Sequence, residues 1–197
     1  MPVDIEPLIF AVQQLDVKDG RVQTLSFLEI CLLYPLLLRP LNSVPIGGVG
    51  STLSGAAKKC QKYVEANGPG TSVYGLIKNE IHGGTAKDKK SFCKNFGVVL
   101  RRMAFINEFA LNTAIAMKDE KLSVCCRTAY DDKIAKSASA LGNPAVGVAF
   151  ATMWSREKYI KAIGGPDALQ QIGAMARNLS PHIKGLESFY AENKLPY

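Results

Sequence analysis

Three short stretches carry the residue types of a phosphate site. They are Asn67-Gly68-Pro69-Gly70-Thr71-Ser72-Val73-Tyr74-Gly75, then Lys90-Ser91-Phe92-Cys93-Lys94-Asn95-Phe96, then Arg127-Thr128-Ala129-Tyr130-Asp131. In the first, glycines let a backbone approach a ligand closely, and Thr71 or Ser72 can donate to a phosphate oxygen. Around the second, Lys87, Lys89, Lys90, Lys94, Arg101 and Arg102 stand against one acid, Asp88. Lys90, Lys94 and Arg101 share a helix face, and the free N–H groups of a helix start attract anions. In the third, Asp131 sits among small and apolar residues. A part-buried acid there needs a partner, either Lys90 or Arg127; as a surface acid it would instead pair with Lys133 or Lys136.

No catalytic signature competes. There is no Ser–His–Asp set, no paired-carboxylate site and no metal-ligand spacing; His82 and His182 stand alone. The five cysteines, at 31, 60, 93, 125 and 126, form no Cys-x-x-Cys pair and read as free buried thiols in a reducing compartment. Gly47-Gly48-Val49-Gly50-Ser51-Thr52 lacks the Gly-Lys-Ser/Thr ending of a nucleotide-binding loop. No cofactor and no metal is therefore expected. The net charge of +7 and pI near 9.2 point to a polyanion or an anionic surface.

The elements that must position these residues are mostly helices. A chain of 197 residues, 47% hydrophobic, can bury one core. Residues 1–20 read as an arm that either lies in a groove on another molecule or folds back on its own. The N-terminus has no basic region of a signal peptide, and Cys31–Leu38 is too short to span a bilayer, so it reads as a buried helix or a docking segment. Helices are predicted over 24–38, 51–66, 88–117, 120–140, 156–163 and 166–178. A helical run through Trp154 and a last helix from Ser180-Pro181 to about 193 complete the set. Residues 42–50 read as a loop, Gly142-Asn143-Pro144 as a turn, and 73–81 as a short extended piece. The fold class is mainly α: a helical core over 21–178, an N-terminal arm over 1–20 and a C-terminal extension over 179–197, with at most one short β-hairpin.

In order and spacing the three stretches resemble the coat proteins of flexuous filamentous plant viruses, the potyvirus and potexvirus type. The first looks like their Asn-Gly-Thr-Ser loop, the second like their Arg-x-Phe-Cys-Arg-x-Phe helix start, the third like their Arg-x-Ala-Phe-Asp motif. The resemblance covers about residues 65–135. Its arginine position reads Lys90 or Lys89 here, Pro69-Gly70 is inserted before Thr71, and Asp132 replaces an aromatic. It implies an RNA-backbone pocket of Ser72, Lys90 and Asp131, with Thr71, Lys89, Lys94 and Arg127 around it. It further implies a capsid subunit that polymerises into a helical filament on single-stranded RNA, in virion and host cytoplasm, with no membrane, no small-molecule substrate and no enzymatic activity. A nucleocapsid protein of the phlebovirus type is the alternative of the same class. A small enzyme holding a phosphorylated ligand at Gly47–Thr52 is the alternative of a different one.

Overall fold

In the computed structural model, which describes residues 2–41, 43–67, 70–135 and 144–197, the chain is mainly helical. Helix α1 spans Glu6–Gln13, and a two-stranded hairpin pairs β1 (Val17–Lys18) with β2 (Arg21–Val22). Next come α2 (Thr24–Leu33), a 3-10 segment (Tyr34–Leu41), α3 (Val44–Asn67) and α4 (Val73–His82). The chain continues through α5 (Phe92–Ile115), α6 (Leu122–Lys133), α7 (Pro144–Ala151), α8 (Arg156–Ala162) and α9 (Pro166–Glu192).

Helix α5 is the axis of the core. Phe92, Phe96, Val99, Leu100, Met103, Phe105, Ile106 and Phe109 are buried on several of its faces, so it must be enclosed, and it packs against α9, α3 and α6. Three tyrosines tie other segments to this core. Tyr34 Oη donates to Asn107 Oδ1 at 2.7 Å, and Asn107 Nδ2 donates to Ser180 Oγ at 2.9 Å, joining the 3-10 segment, α5 and α9. Tyr159 Oη donates to the Leu37 carbonyl and Tyr190 Oη to the Cys93 carbonyl. Helix α5 runs from Phe92 to Ile115 without a break, with the Asn107 side chain used across the helix interface.

Several boundaries differ from the sequence reading. Residues 44–50 are the first turns of α3, not a loop. Pro45 suits a first helical turn, and Ile46, Val49 and Leu53 bury at helical spacing, which outweighs the glycines between them. Ser51 and Thr52 lie inside α3, and both hydroxyls donate to the Gly48 carbonyl, at 3.1 and 2.8 Å. Residues 73–81 are helical, not extended: Val73, Leu76, Ile77 and Glu80 form one buried stripe. The strands lie instead at 17–22, where Asp19 (φ 50) and Gly20 (φ 71) make the two-residue turn between them. Ser180-Pro181 starts no new helix, because Leu179, Ile183, Leu186 and Tyr190 prolong the buried stripe of α9 through the proline. The expected turn at 142–143 and the end of the helix expected over 120–140 lie outside the described residues. So do Gly68, Pro69 and Lys136.

Helix α1 packs on α2 and α9 with Leu8 fully buried, so residues 6–13 fold onto the chain's own core. The stretch Thr24–Leu41 is long and apolar enough to cross a membrane by composition alone. Here it contributes Phe27, Leu28, Ile30, Tyr34 and Leu37 to the interior.

Candidate functional site

The three stretches are used largely for architecture. Thr24 donates its backbone N–H and its hydroxyl to the Thr71 carbonyl, at 3.3 and 2.6 Å, pinning the α4 start to α2. Ser72 is the N-cap of α4, where its Oγ accepts from Gly75 N at 3.2 Å. Lys89 and Lys90 are exposed in the turn before α5, and Lys94 is exposed on its first turn. The N–H groups there are already taken. Ser91 Oγ accepts from Lys94 N, and the buried carboxylate of Glu80 accepts from Phe92 N at 2.8 Å and Cys93 N at 2.7 Å. Glu80 thus occupies the anion position that a helix N-terminus offers. Asp131 pairs along α6 with Arg127 at 3.8 Å, both side chains being more than half exposed, while the Arg127 guanidinium lies 5.9 Å over the Phe150 ring.

The structure gathers a different polar group at the edge of the core. Arg102, on α5, is half-buried beside Tyr130 of α6, and its Nε is shut from solvent with no hydrogen-bond partner. Among the described residues it forms no ion pair. Burial pushes its guanidinium pKa down, and the neighbouring Arg101 pushes the same way. Arg101 itself is engaged: it lies 5.2 Å over the ring of Tyr197, whose hydroxyl bonds Glu187. That tail crosses α5 at Gly97, where any Cβ would run into the Pro196 carbonyl oxygen.

Tyr130, the neighbour of Arg102, belongs to a cluster of aromatic rings. Tyr130 meets Phe105 and Phe150 edge to face, with centroids 6.1 and 5.8 Å apart, and Phe109 meets Tyr159 in the same way at 5.6 Å. These rings come from α5, α6, α7 and α8. A desolvated cation at the rim of an aromatic interior suits an amphiphile with a negative head and an apolar body. The sequence signal for Arg102 was a cation bordering the apolar face of α5, one helical turn from both Val99 and Phe105. Composition alone groups it with the neighbouring lysines at 87, 89, 90 and 94.

A second polar groove, of about 410 Å³, runs between the 3-10 segment and α3. Arg39, Ser43, Ser51 and Ser54 line it over Pro35 and Leu38, and Ser43 Oγ has no partner. The Gly47–Thr52 run is helical, not a phosphate loop. Its backbone N–H groups belong to the α3 ladder and cannot wrap a phosphate as a loop would.

Comparison with known proteins overturns the viral reading. The family model described as "Glycolipid transfer protein (GLTP)" matches residues 22–165. The glycolipid transfer protein of Aureobasidium melanogenum is 25% identical over 181 residues, covering 90% of this chain and 88% of that protein. Mouse ceramide-1-phosphate transfer protein, in its apo form, superposes with a TM-score of 0.83 at 18% identity, covering 96% of both chains. The human ceramide-1-phosphate transfer protein, solved with 12:0 ceramide-1-phosphate, gives 0.83 at 17% identity over 99% of both.

The likeness to filamentous-virus coat proteins is therefore a coincidence of short motifs. Single-stranded RNA, a helical filament, a virion location and the phlebovirus-type nucleocapsid alternative fall with it. The expectation of no small-molecule ligand falls too, since a protein of this fold is solved around a lipid. The physical reason is visible in the chain. Ser72 caps α4, Glu80 fills the α5 N-terminus and Asp131 pairs with Arg127, so residues chosen for phosphate chemistry serve helix ends and helix surfaces. The chain belongs to the glycolipid transfer protein family.

Proposed function

We propose that this chain holds one sphingolipid with a phosphate headgroup, of the ceramide-1-phosphate type, and carries it between membranes unchanged. The reading rests on Arg102, whose Nε is buried without a hydrogen-bond partner beside the aromatic cluster of Tyr130. A cation that has lost water without gaining an anion is held at a disadvantage. A phosphate placed there would gain charge-assisted hydrogen bonds, with a planar fork suited to two oxygens at once. The hydrocarbon chains would then extend past Tyr130 and Phe150 toward Phe105 and Phe109. Nothing in this scheme requires bond making or breaking: the protein lowers the barrier to leaving a bilayer by replacing it with a protein interior.

The test is transfer of fluorescent lipids between vesicles. Ceramide-1-phosphate should move at a rate proportional to protein concentration, and glucosylceramide far more slowly. Transfer of glucosylceramide with none of ceramide-1-phosphate would assign a sugar headgroup and remove Arg102 from the role given it. Transfer of neither would overturn the lipid-carrying reading.

A further inference from the structure

The lipid-carrying reading makes no use of the groove between the 3-10 segment and α3, and we propose that this groove is a separate binding site for a small organic monocarboxylate. The groove lies within residues 35–54, whereas Arg102, Tyr130, Phe105 and Phe150 stand on α5, α6 and α7, so the two sites have no residue in common. The 3-10 segment divides its side chains between them. Tyr34 and Leu37 are fully buried in the core, while Pro35, Leu38 and Arg39 line the groove.

The polar groups of the groove are unspent. Arg39 is exposed and forms no ion pair among the described residues, and no described acid lines the groove beside it. Ser43 immediately precedes α3, and its carbonyl accepts from Gly47 N at 2.7 Å. A serine in that place ordinarily accepts through its hydroxyl from the second or third helical residue. The second here is Pro45, which has no N–H to give, and Ser43 Oγ is shut from solvent without a partner. A native polar group in that condition calls for a guest. Rotation about χ1, between staggered wells, lets the hydroxyl meet one. Ser54, half-buried two turns along the same face of α3 as Gly47, adds a further hydroxyl.

The floor is apolar, formed by Pro35 and Leu38, and glycines keep the space above it open. A Cβ at Gly47 would meet nothing within 4 Å. At Gly50 a Cβ would come 3.0 Å from Pro35 Cβ, so the two walls approach there as closely as a bare backbone permits. The groove's volume of about 410 Å³ lies at the small end of ligand sites, which run from about 300 to 1,000 Å³.

Charge and shape select the guest. Arg39 offers one positive charge in a planar fork that matches the two oxygens of a carboxylate. A phosphate monoester is largely dianionic at neutral pH and would leave a negative charge uncompensated over Pro35 and Leu38. The α3 N–H groups beyond its first turn are held in the helix ladder and supply no phosphate cradle. A carboxylate at Arg39, with Ser43 and Ser54 donating to it and a short hydrocarbon body on Pro35 and Leu38, satisfies every group.

Calorimetric titration of the full chain with sodium octanoate tests this. Octanoate should bind and acetate far more weakly, with each methylene between them tightening binding up to about four-fold. Arg39→Gln should weaken octanoate about 10-fold, the lower end for a charged hydrogen bond because this guanidinium is exposed. Gly47→Leu should abolish binding by filling the groove. Gly55→Leu, equally open on the same helix but outside the groove, should bind as the parent does, and both leucine variants should keep the parent's circular dichroism. No binding by the parent overturns the proposal, and so does undiminished binding by Arg39→Gln or by folded Gly47→Leu. Tighter binding of octyl phosphate than of octanoate overturns it too. Loss of octanoate binding in Arg102→Met would place the guest in the lipid site and end the proposal equally. Ceramide-1-phosphate transfer is measured separately: its failure removes the carrier reading and leaves the groove standing.

Discussion

Replacing Arg102 with methionine should raise the stability of the lipid-free protein and weaken its hold on ceramide-1-phosphate, two effects of opposite sign from one change. Methionine has nearly the same reach as the arginine stem and adapts to irregular space, so packing against Tyr130 is kept. What disappears is a buried donor, Nε, with nothing to donate to. An unmet buried polar group costs about 1–3 kcal/mol, with more for a charged one. Solvent still reaches part of this side chain, so the lower end applies. A gain of about 1 kcal/mol corresponds to roughly 2–4 °C in the thermal midpoint for a domain of this size. Hydrogen bonds to charged groups contribute about 1.5–3 kcal/mol, so the dissociation constant for ceramide-1-phosphate should rise by roughly 10–150-fold. Thermal unfolding without lipid and titration with a soluble short-chain ceramide-1-phosphate measure the two separately. A variant that is less stable, yet binds lipid as before, would mean that Arg102 braces the α5–α6 contact and holds no headgroup.

Other consequences follow from the packing. Glu80→Ala leaves the Phe92 and Cys93 N–H groups without their acceptor inside the core. It should lower stability by about 3 kcal/mol in urea unfolding, with Glu80→Gln retaining part of that because its amide oxygen still accepts one bond. A loss below about 0.5 kcal/mol for the alanine variant would contradict the cap. Gly173→Ala puts a Cβ 2.7 Å from the Ala114 side chain at the α5–α9 contact. It should destabilise by about 1–3 kcal/mol through helix displacement, and an unchanged midpoint would show that the two helices can part freely. Burial raises the thiol pKa of Cys31, Cys60, Cys93, Cys125 and Cys126. The unfolded chain therefore releases these protons first. Stability holds below the ordinary thiol range of about 8.5 and is lost as pH rises above it. The melting midpoint should fall steadily on the alkaline side, and native protein at mildly alkaline pH should resist thiol alkylation until denaturant exposes all five. Prompt labelling of any cysteine in the folded state would place that thiol outside the core.

The helical class and the central helix could be read from the chain because their signals are local. Phe92, Phe96, Val99, Leu100, Met103, Ile106 and Phe109 repeat at helical spacing, although the start expected at 88 gives way to a cap at Ser91. The first turns of α3 could not be read so easily. Pro45, Gly47, Gly48 and Gly50 have the composition of a loop, and only burial of Ile46, Val49 and Leu53 against the 3-10 segment holds them helical. The same holds for α4, whose valine, tyrosine and isoleucines favour a strand in isolation. Its helix is stabilised by the Ser72 cap and by the use that α5 makes of Glu80. At Pro181, a local stop signal loses to the long apolar stripe of α9, because α9 packs along α5 on both sides of the proline.

The misread partner has a deeper cause than short motifs. A phosphate on a polymer and a phosphate on a lipid ask the same of a protein at close range: a cation, a few donors and exclusion of bulk water. Lysines, arginines and hydroxyls in a basic chain cannot say which is meant. The difference lies in what is attached behind the phosphate, a chain of sugars and bases or a pair of hydrocarbon tails, and therefore in what lies behind the cation. For the exposed lysines at 89, 90 and 94 there is only solvent around the charge. For Arg102 there are Tyr130, Phe105 and Phe150, brought from α6, α5 and α7 into one wall. That adjacency is a property of helix packing and is written in no single stretch of sequence. The discriminating observation is thus the burial behind a positive charge and not the charge itself. On the proposed reading, that burial is what singles out Arg102, whose Nε is buried without a hydrogen-bond partner beside Tyr130.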